Sequence, residues 1–170
     1  MTPTPAPTGA RAPADSACLF CAIGAGAKTA SIVWRDPQVC AFLDARPVFK
    51  GHVLVVPRAH VPTLLELPDQ DAGVLFGAVR RVAAAIERAL GADGTFVALN
   101  NKVSQSVPHL HVHVVPRRRK DGLRGFFWPR VAYASDQERE QLAAQLAIQV
   151  QAEFGGPGPL PAAGAPPIQR

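Results

Sequence analysis

Cysteine is scarce in this sequence, long apolar runs are missing, and no phosphate-binding glycine motif is complete; each shortage closes off a class of protein. Three cysteines are too few for a disulfide framework, and an odd number without a secretory pattern points to reduced thiols or metal ligation. No stretch reaches the roughly 20 apolar residues needed to cross a bilayer. The N-terminus lacks the charged-then-apolar order of a signal peptide, so the expectation is a soluble, cytoplasmic protein with no membrane partner. Gly24 and Gly26 in "IGAG" do not complete a dinucleotide fingerprint, and the Gly-x-x-x-x-Gly-Lys-Ser/Thr spacing of a phosphate loop is absent. No internal repeat is visible.

What is present suits one domain. A chain of 170 residues with 48% apolar composition can bury a sizeable core without dividing it. The ends differ from the middle: Thr2 to Ala14 and Gly155 to Pro167 are mostly Pro, Ala, Gly and Thr. We therefore expect disordered tails at 1–16 and 155–170 around a single domain at 17–154. The net charge of +5 gathers in Arg117, Arg118, Arg119 and Lys120, which suits either an anionic ligand or a solvated basic loop. Cys40, inside the apolar "VCAFL", reads as a buried core residue.

Four short β-branched runs bounded by Gly, Pro, Asp or Asn predict strands at Ser31–Trp34, Val39–Leu43, His52–Pro57 and Thr95–Asn100. Between the third and fourth, Leu75, Val79, Val82, Ile86 and Leu90 recur at helical spacing, and Gly91 can supply a left-handed stop. A second helix is expected in "SDQEREQLAAQLAIQVQAEF", opening with Ser135 and Glu138 in capping-box spacing and carrying Leu142, Leu146 and Val150 on one face. This order implies an α+β domain whose mostly antiparallel, five-stranded sheet is covered by one long helix and a C-terminal helix.

The fifth strand is "SVPHLHVHVV". In extended backbone His109, His111 and His113 share one side, with neighbouring alternate residues roughly 7 Å apart, so all three cannot ligate one ion. Leu110, Val112 and Val114 give the other side a packing surface. Three imidazoles in alternation are costly to bury without partners, and the expectation is that they divide their labour. Cys18 and Cys21 have the spacing that lets two thiolates approach one ion, a pair still short of two ligands.

"HLHVHVV" resembles the His-x-His-x-His-x-x signature of the histidine-triad (HIT) superfamily of nucleotide hydrolases and transferases. "CLFC", "FLDARPVFKGHVLVVPRAH" and "NNKVSQSVPHLHVHVVPR" resemble other blocks of that family in the same order, over roughly Ala17 to Pro116. The resemblance implies a HIT-like fold. It makes His111 the nucleophile that attacks the α-phosphorus of a nucleotide and forms a nucleotidyl-histidine, dividing one displacement into two. His113 would help orient it and bind phosphate.

By the same resemblance Ser106 contacts the leaving group or a phosphate oxygen, with Gln105 nearby, unless it is an ordinary loop hydroxyl. Asp44 takes ribose hydroxyls or else only starts the turn before "ARP". Asn100 or Asn101 places an amide by the phosphate. His52 either supports the site or is a satisfied structural residue. In the zinc-containing branch, His60 and His109 would join Cys18 and Cys21 in a structural Zn²⁺ site; the other reading is a reduced, non-ligating pair.

The implied function is hydrolysis or nucleotidyl transfer at the α-phosphorus of a purine nucleotide derivative, either a nucleoside phosphoramidate or a dinucleoside polyphosphate. Arg117, Arg118, Arg119, Arg124 and Arg130 could hold extra phosphates. The alternative is a non-catalytic nucleotide-binding regulator. Nucleic-acid binding through "RRRK" with Phe126, Phe127 and Trp128 is disfavoured, since no nucleic-acid module surrounds them. The family also implies a homodimer joined through the long helix and the fourth strand, and "GFFWP" could cover the pocket or join that interface.

Overall fold

The computed structural model describes residues 18–123 and 131–154, with nothing drawn from the side chains of 151, 153 and 154. The tails expected at 1–16 and 155–170 lie outside the described residues, as do Arg124, Phe126, Phe127, Trp128 and Arg130. The chain divides into two compact units, Met1–Leu123 and Arg124–Arg170.

In the first unit helix α1 (Leu19–Ala25) precedes strands β1 (Ile32–Arg35), β2 (Val39–Leu43) and β3 (Val53–Pro57); a 3₁₀ turn at Leu64–Glu66 leads into helix α2 (Asp69–Leu90), followed by β4 (Gly94–Ala98) and β5 (Val112–Arg117). The five strands form one sheet in the order β1-β2-β3-β5-β4, and every neighbouring pair is antiparallel. The α+β architecture read from the sequence is thus observed. Helix α1 was not expected, because seven residues are too few to display a helical period.

Strand alternation sorts the sheet into two cores. Val39, Ala41, Val53, Val55, Val112 and Val114 pack with Leu75, Ala78, Val79, Val82 and Ile86 of α2. Cys40, Phe42, Leu54 and Val56 point the other way and join Cys18, Phe20, Cys21 and Ile23 around α1. Both faces of the central strands are therefore covered, and their sequences read as continuous apolar runs. Burial of a side chain such as Leu75, 1% exposed, stabilises the fold by about 1.5–3 kcal/mol. Helix α2 stops at Gly91 with φ 60°, as the sequence implies, but Leu90 is exposed and falls off the stripe.

One register row positions the functional side chains. Ile32 pairs with Phe42, Phe42 with Leu54, Leu54 with His113 and His113 with Ala98. Reading across the sheet, the α1 side thus presents a histidine on β5 and apolar residues on β3 and β2.

The second unit contains helix α3 (Asp136–Phe154). Its start is capped as expected: the Glu138 backbone N–H donates to Ser135 Oγ at 3.1 Å, and the Ala134 N–H donates to the Glu138 carboxylate at 2.5 Å. Leu142, Leu146, Ile148 and Val150 of this helix are exposed. No helix among the described residues is long and apolar enough to cross a membrane.

Candidate functional site

The ladder of β5 begins only at Val112, so His109 and His111 precede it and the three histidines do not share one regular strand. Leu110 is held instead by its N–H donating to the Val61 carbonyl at 2.6 Å, and the His109 N–H turns back to Val107 O at 2.8 Å. Leu110, Val112 and Val114 are fully buried on the α2 side. That burial leaves the imidazoles to the α1 side, where they divide into two groups.

His109 belongs to the first group. Its Nε2–H donates to the Pro57 carbonyl at 2.8 Å, which leaves Nδ1 without a proton and facing the two thiols. Cys18 Sγ is 3.3 Å from His109 Nδ1, Cys21 Sγ is 3.5 Å from it, and Cys21 Sγ is 3.4 Å from His60 Nδ1. All four donor atoms lie within 4.8 Å of one another. A tetrahedral zinc shell with bonds of about 2.3 Å to sulfur and 2.05 Å to nitrogen has S···N edges of roughly 3.5 Å, so the donor set fits that ion in both chemistry and spacing. Pro57 is the outer partner that fixes the ligand tautomer. Burial lowers His109 to about 4, with the Pro57 bond opposing and His60 and His111 adding; a neutral imidazole is the form that ligates.

His111 and His113 form the second group. The His111 Nδ1–H donates to the His109 carbonyl at 2.7 Å, leaving Nε2 with its lone pair available. His113 Nδ1 lies 3.0 Å from His52 Nε2. The Val48 N–H donates to His52 Nδ1 at 3.3 Å, so a neutral His52 carries its proton on Nε2 and donates it to His113. His113 is then left with Nε2–H as its remaining donor. Burial lowers His113 to about 4, with His111 and His52 adding and Asp44 opposing. Burial also lowers His52, against Asp44 Oδ2 at 3.5 Å.

His111 and His113, with ring centroids 5.0 Å apart, open on a cavity of about 1070 Å³ lined also by Ser106, Val107, Asp44 and Arg46. Helix α1 supplies one wall through Leu19, Phe20 and Ile23, while Phe42 and Leu54 of the sheet line it too. Phe20 sits edge-on to both His109 and His111, with centroids at 5.9 and 5.2 Å. The Arg46 N–H donates to Asp44 Oδ1 at 2.8 Å, leaving Asp44 Oδ2 to accept from a ligand hydroxyl.

Several expected site residues are engaged elsewhere. Gln105 donates from Nε2 to the Pro62 carbonyl and accepts the Lys102 N–H. Asn101 Oδ1 accepts the Leu64 N–H, and Asn100 Nδ2 donates to Ser104 O. None of the three lines the cavity; their amides brace a loop in which Lys102 and Ser104 both have positive φ. The basic run is likewise structural in part. Arg117 binds Asp121 through two nitrogens and also the Leu123 carbonyl, holding the Asp121 carboxyl well below its usual range. Arg118 donates to the Leu90 and Gly91 carbonyls at the end of α2, and the Arg119 N–H donates to Asp93. Sequence reasoning missed Leu19, Phe20, Ile23, Lys28 and Arg46 as lining residues; the apolar flanks of "CLFCAI" were the available signal for the first three.

The HIT domain family model matches residues 25–120. The chain belongs to the HIT family. It is 39% identical to "Protein hit" of Bacillus subtilis over 127 residues, which cover 74% of this chain and 86% of that one. Over 92 residues it is 36% identical to the bis(5'-nucleosyl)-tetraphosphatase (asymmetrical) of Schizosaccharomyces pombe, covering 53% of this chain and 50% of that one. A zinc-bound histidine triad family protein from Mycobacterium smegmatis superposes with a TM-score of 0.61 and 34% identity, covering 80% of this chain and 97% of that one. The HIT chain described here thus shares its fold with a zinc-bound relative and its family with a nucleotide hydrolase.

Proposed function

We propose that this HIT protein hydrolyses, or transfers the nucleotidyl group of, a purine nucleotide derivative, cleaving at the α-phosphorus of a nucleoside phosphoramidate or dinucleoside polyphosphate. The observation that carries the reading is the His111 tautomer: Nδ1–H is committed to the His109 carbonyl at 2.7 Å, so Nε2 is the free nucleophile beside a large cavity. Nε2 attacks phosphorus, the bond from phosphorus to the leaving nitrogen or oxygen breaks, and the departing atom takes up a proton. The cationic phosphoimidazole so formed keeps Nδ1–H on a carbonyl dipole that stabilises it. Water then attacks phosphorus and gives up a proton to solvent, the N–P bond breaks, and neutral His111 is restored.

In this reading the His113 Nε2–H and the Ser106 hydroxyl donate to phosphoryl or leaving-group oxygens as charge develops, and Asp44 accepts from ribose hydroxyls. Cys18, Cys21, His60 and His109 would hold one structural Zn²⁺, which supplies a cross-link and no chemistry at phosphorus. The active species is a homodimer.

The test is incubation with adenosine phosphoramidate and diadenosine polyphosphates, comparing the wild type with His111→Ala. Turnover should fall at least about 10³-fold in the variant, and the quenched wild type should carry a nucleotidyl mass increment at His111. Tight nucleotide binding with no turnover in the wild type would instead identify a binding regulator.

A further inference from the structure

The cavity reaches well beyond the histidines. His113, Leu54 and Phe42 occupy consecutive strands of one register row, which continues to Ile32 on β1. Three strand spacings of roughly 4.8 Å put β1 about 14 Å from β5. Lys28, Thr29, Ala30 and Ser31, which line the cavity at that far side, directly precede β1, and Ser31 is tied to β2 by its carbonyl accepting the Leu43 N–H at 2.9 Å. A nucleotide with its phosphorus at His111 therefore runs its sugar past Asp44 and its base toward Lys28.

The backbone at Lys28 is fixed. Helix α1 ends on Gly26 at φ 83°, with the Gly26 N–H on Ile23 O and the Ala27 N–H on Ala22 O, the paired bonds of a Schellman stop. The Lys28 N–H then donates to the same Ala22 carbonyl at 3.1 Å. The residue thus leaves the end of the helix whose Leu19, Phe20 and Ile23 form the cavity wall. Among the described residues no carboxylate pairs with its ammonium group. The other cation lining the cavity, Arg46, lies on the sugar side, two residues after Asp44.

We propose that Lys28 reads the edge of the base and makes this pocket prefer guanine to adenine. An ammonium group only donates hydrogen bonds. Guanine offers it two acceptors, O6 and N7, whereas adenine sets an amino donor in place of O6. The apolar wall and floor accept either purine ring, and the Thr29 and Ser31 hydroxyls at this end can donate or accept, so discrimination falls to the ammonium group, which only donates. The inference rests on the nucleotide reading above for the direction in which the ligand lies.

Dissociation constants for GMP, IMP and AMP, measured by calorimetry on the full chain, test it. GMP and IMP, which share O6 and N7, should bind roughly fivefold to tenfold more tightly than AMP. Lys28→Met should bring the three together, and Lys28→Arg should keep the preference. Equal or tighter binding of AMP by the wild type, a guanine preference that survives in Lys28→Met, or no binding of any of the three overturns the proposal. Turnover of guanosine and adenosine phosphoramidates separates the two readings. A guanine preference in binding without turnover sinks the hydrolase and leaves Lys28 standing, whereas turnover without preference does the reverse.

Discussion

His113 is half-buried between two other imidazoles, and its lowered pKa of about 4 follows mainly from that burial. The ordinary value of 6.5 applies once the chain unfolds. Folding therefore favours the neutral ring, and the unfolded chain binds more protons between the two values. The sign is fixed: the contribution to stability is whole above pH 6.5, declines as the pH falls toward 4, and is fully lost below. Denaturant midpoints measured across this window should drop with acid in the wild type, and less steeply in His113→Asn. The same neutrality keeps the His52 to His113 hydrogen bond directional at neutral pH and leaves the His113 Nε2–H as a neutral donor toward the cavity.

At the scale of elements, Gly51 turns the chain into β3 with φ 95°, and a Cβ there would collide with Leu90 Cδ1 at the end of α2. Gly51→Ala should cost about 1–2 kcal/mol, since an L-residue is strained in that region even after the leucine tip moves aside. Equilibrium unfolding of the variant checks this. The regular elements were legible because their periods are long enough to count: α2 shows its stripe over about three turns, from Leu75 to Ile86, and β2 and β3 are unbroken apolar runs between turn residues. Helix α1 was illegible at seven residues, and its cysteines drew attention to ligation rather than to the pocket wall beside them. The placement of Gln105, Asn100 and Asn101 was not legible for a different reason. An amide looks the same in sequence whether it faces a phosphate or braces its own loop, and only the positions of Pro62, Leu64 and Ser104 decide. Arg117 and Arg118 were ambiguous likewise, until Asp121 and the carbonyls of α2 claimed them.

Across the whole molecule, the four metal-binding candidates come from chain positions as far apart as Cys18 and His109, 91 residues along the sequence. An ion held there ties α1 to the segments bearing His60 and His109, and its binding free energy adds to folding. Elemental analysis should find one zinc per chain, and stripping it with a chelator should lower the melting temperature by roughly 5 °C or more. Replacing Cys18 and Cys21 together by serine should abolish both the metal and the chelator effect. The run from His109 to Val114 has a stricter consequence. Odd positions face the two thiols or the cavity while even ones fill the valine-rich interior beneath α2, so parity alone assigns each residue its side. Losing or gaining a single residue there would exchange the two sets, sending imidazoles into hydrocarbon and valines into the cleft. Such a stretch can drift by substitution but is closed to length variation.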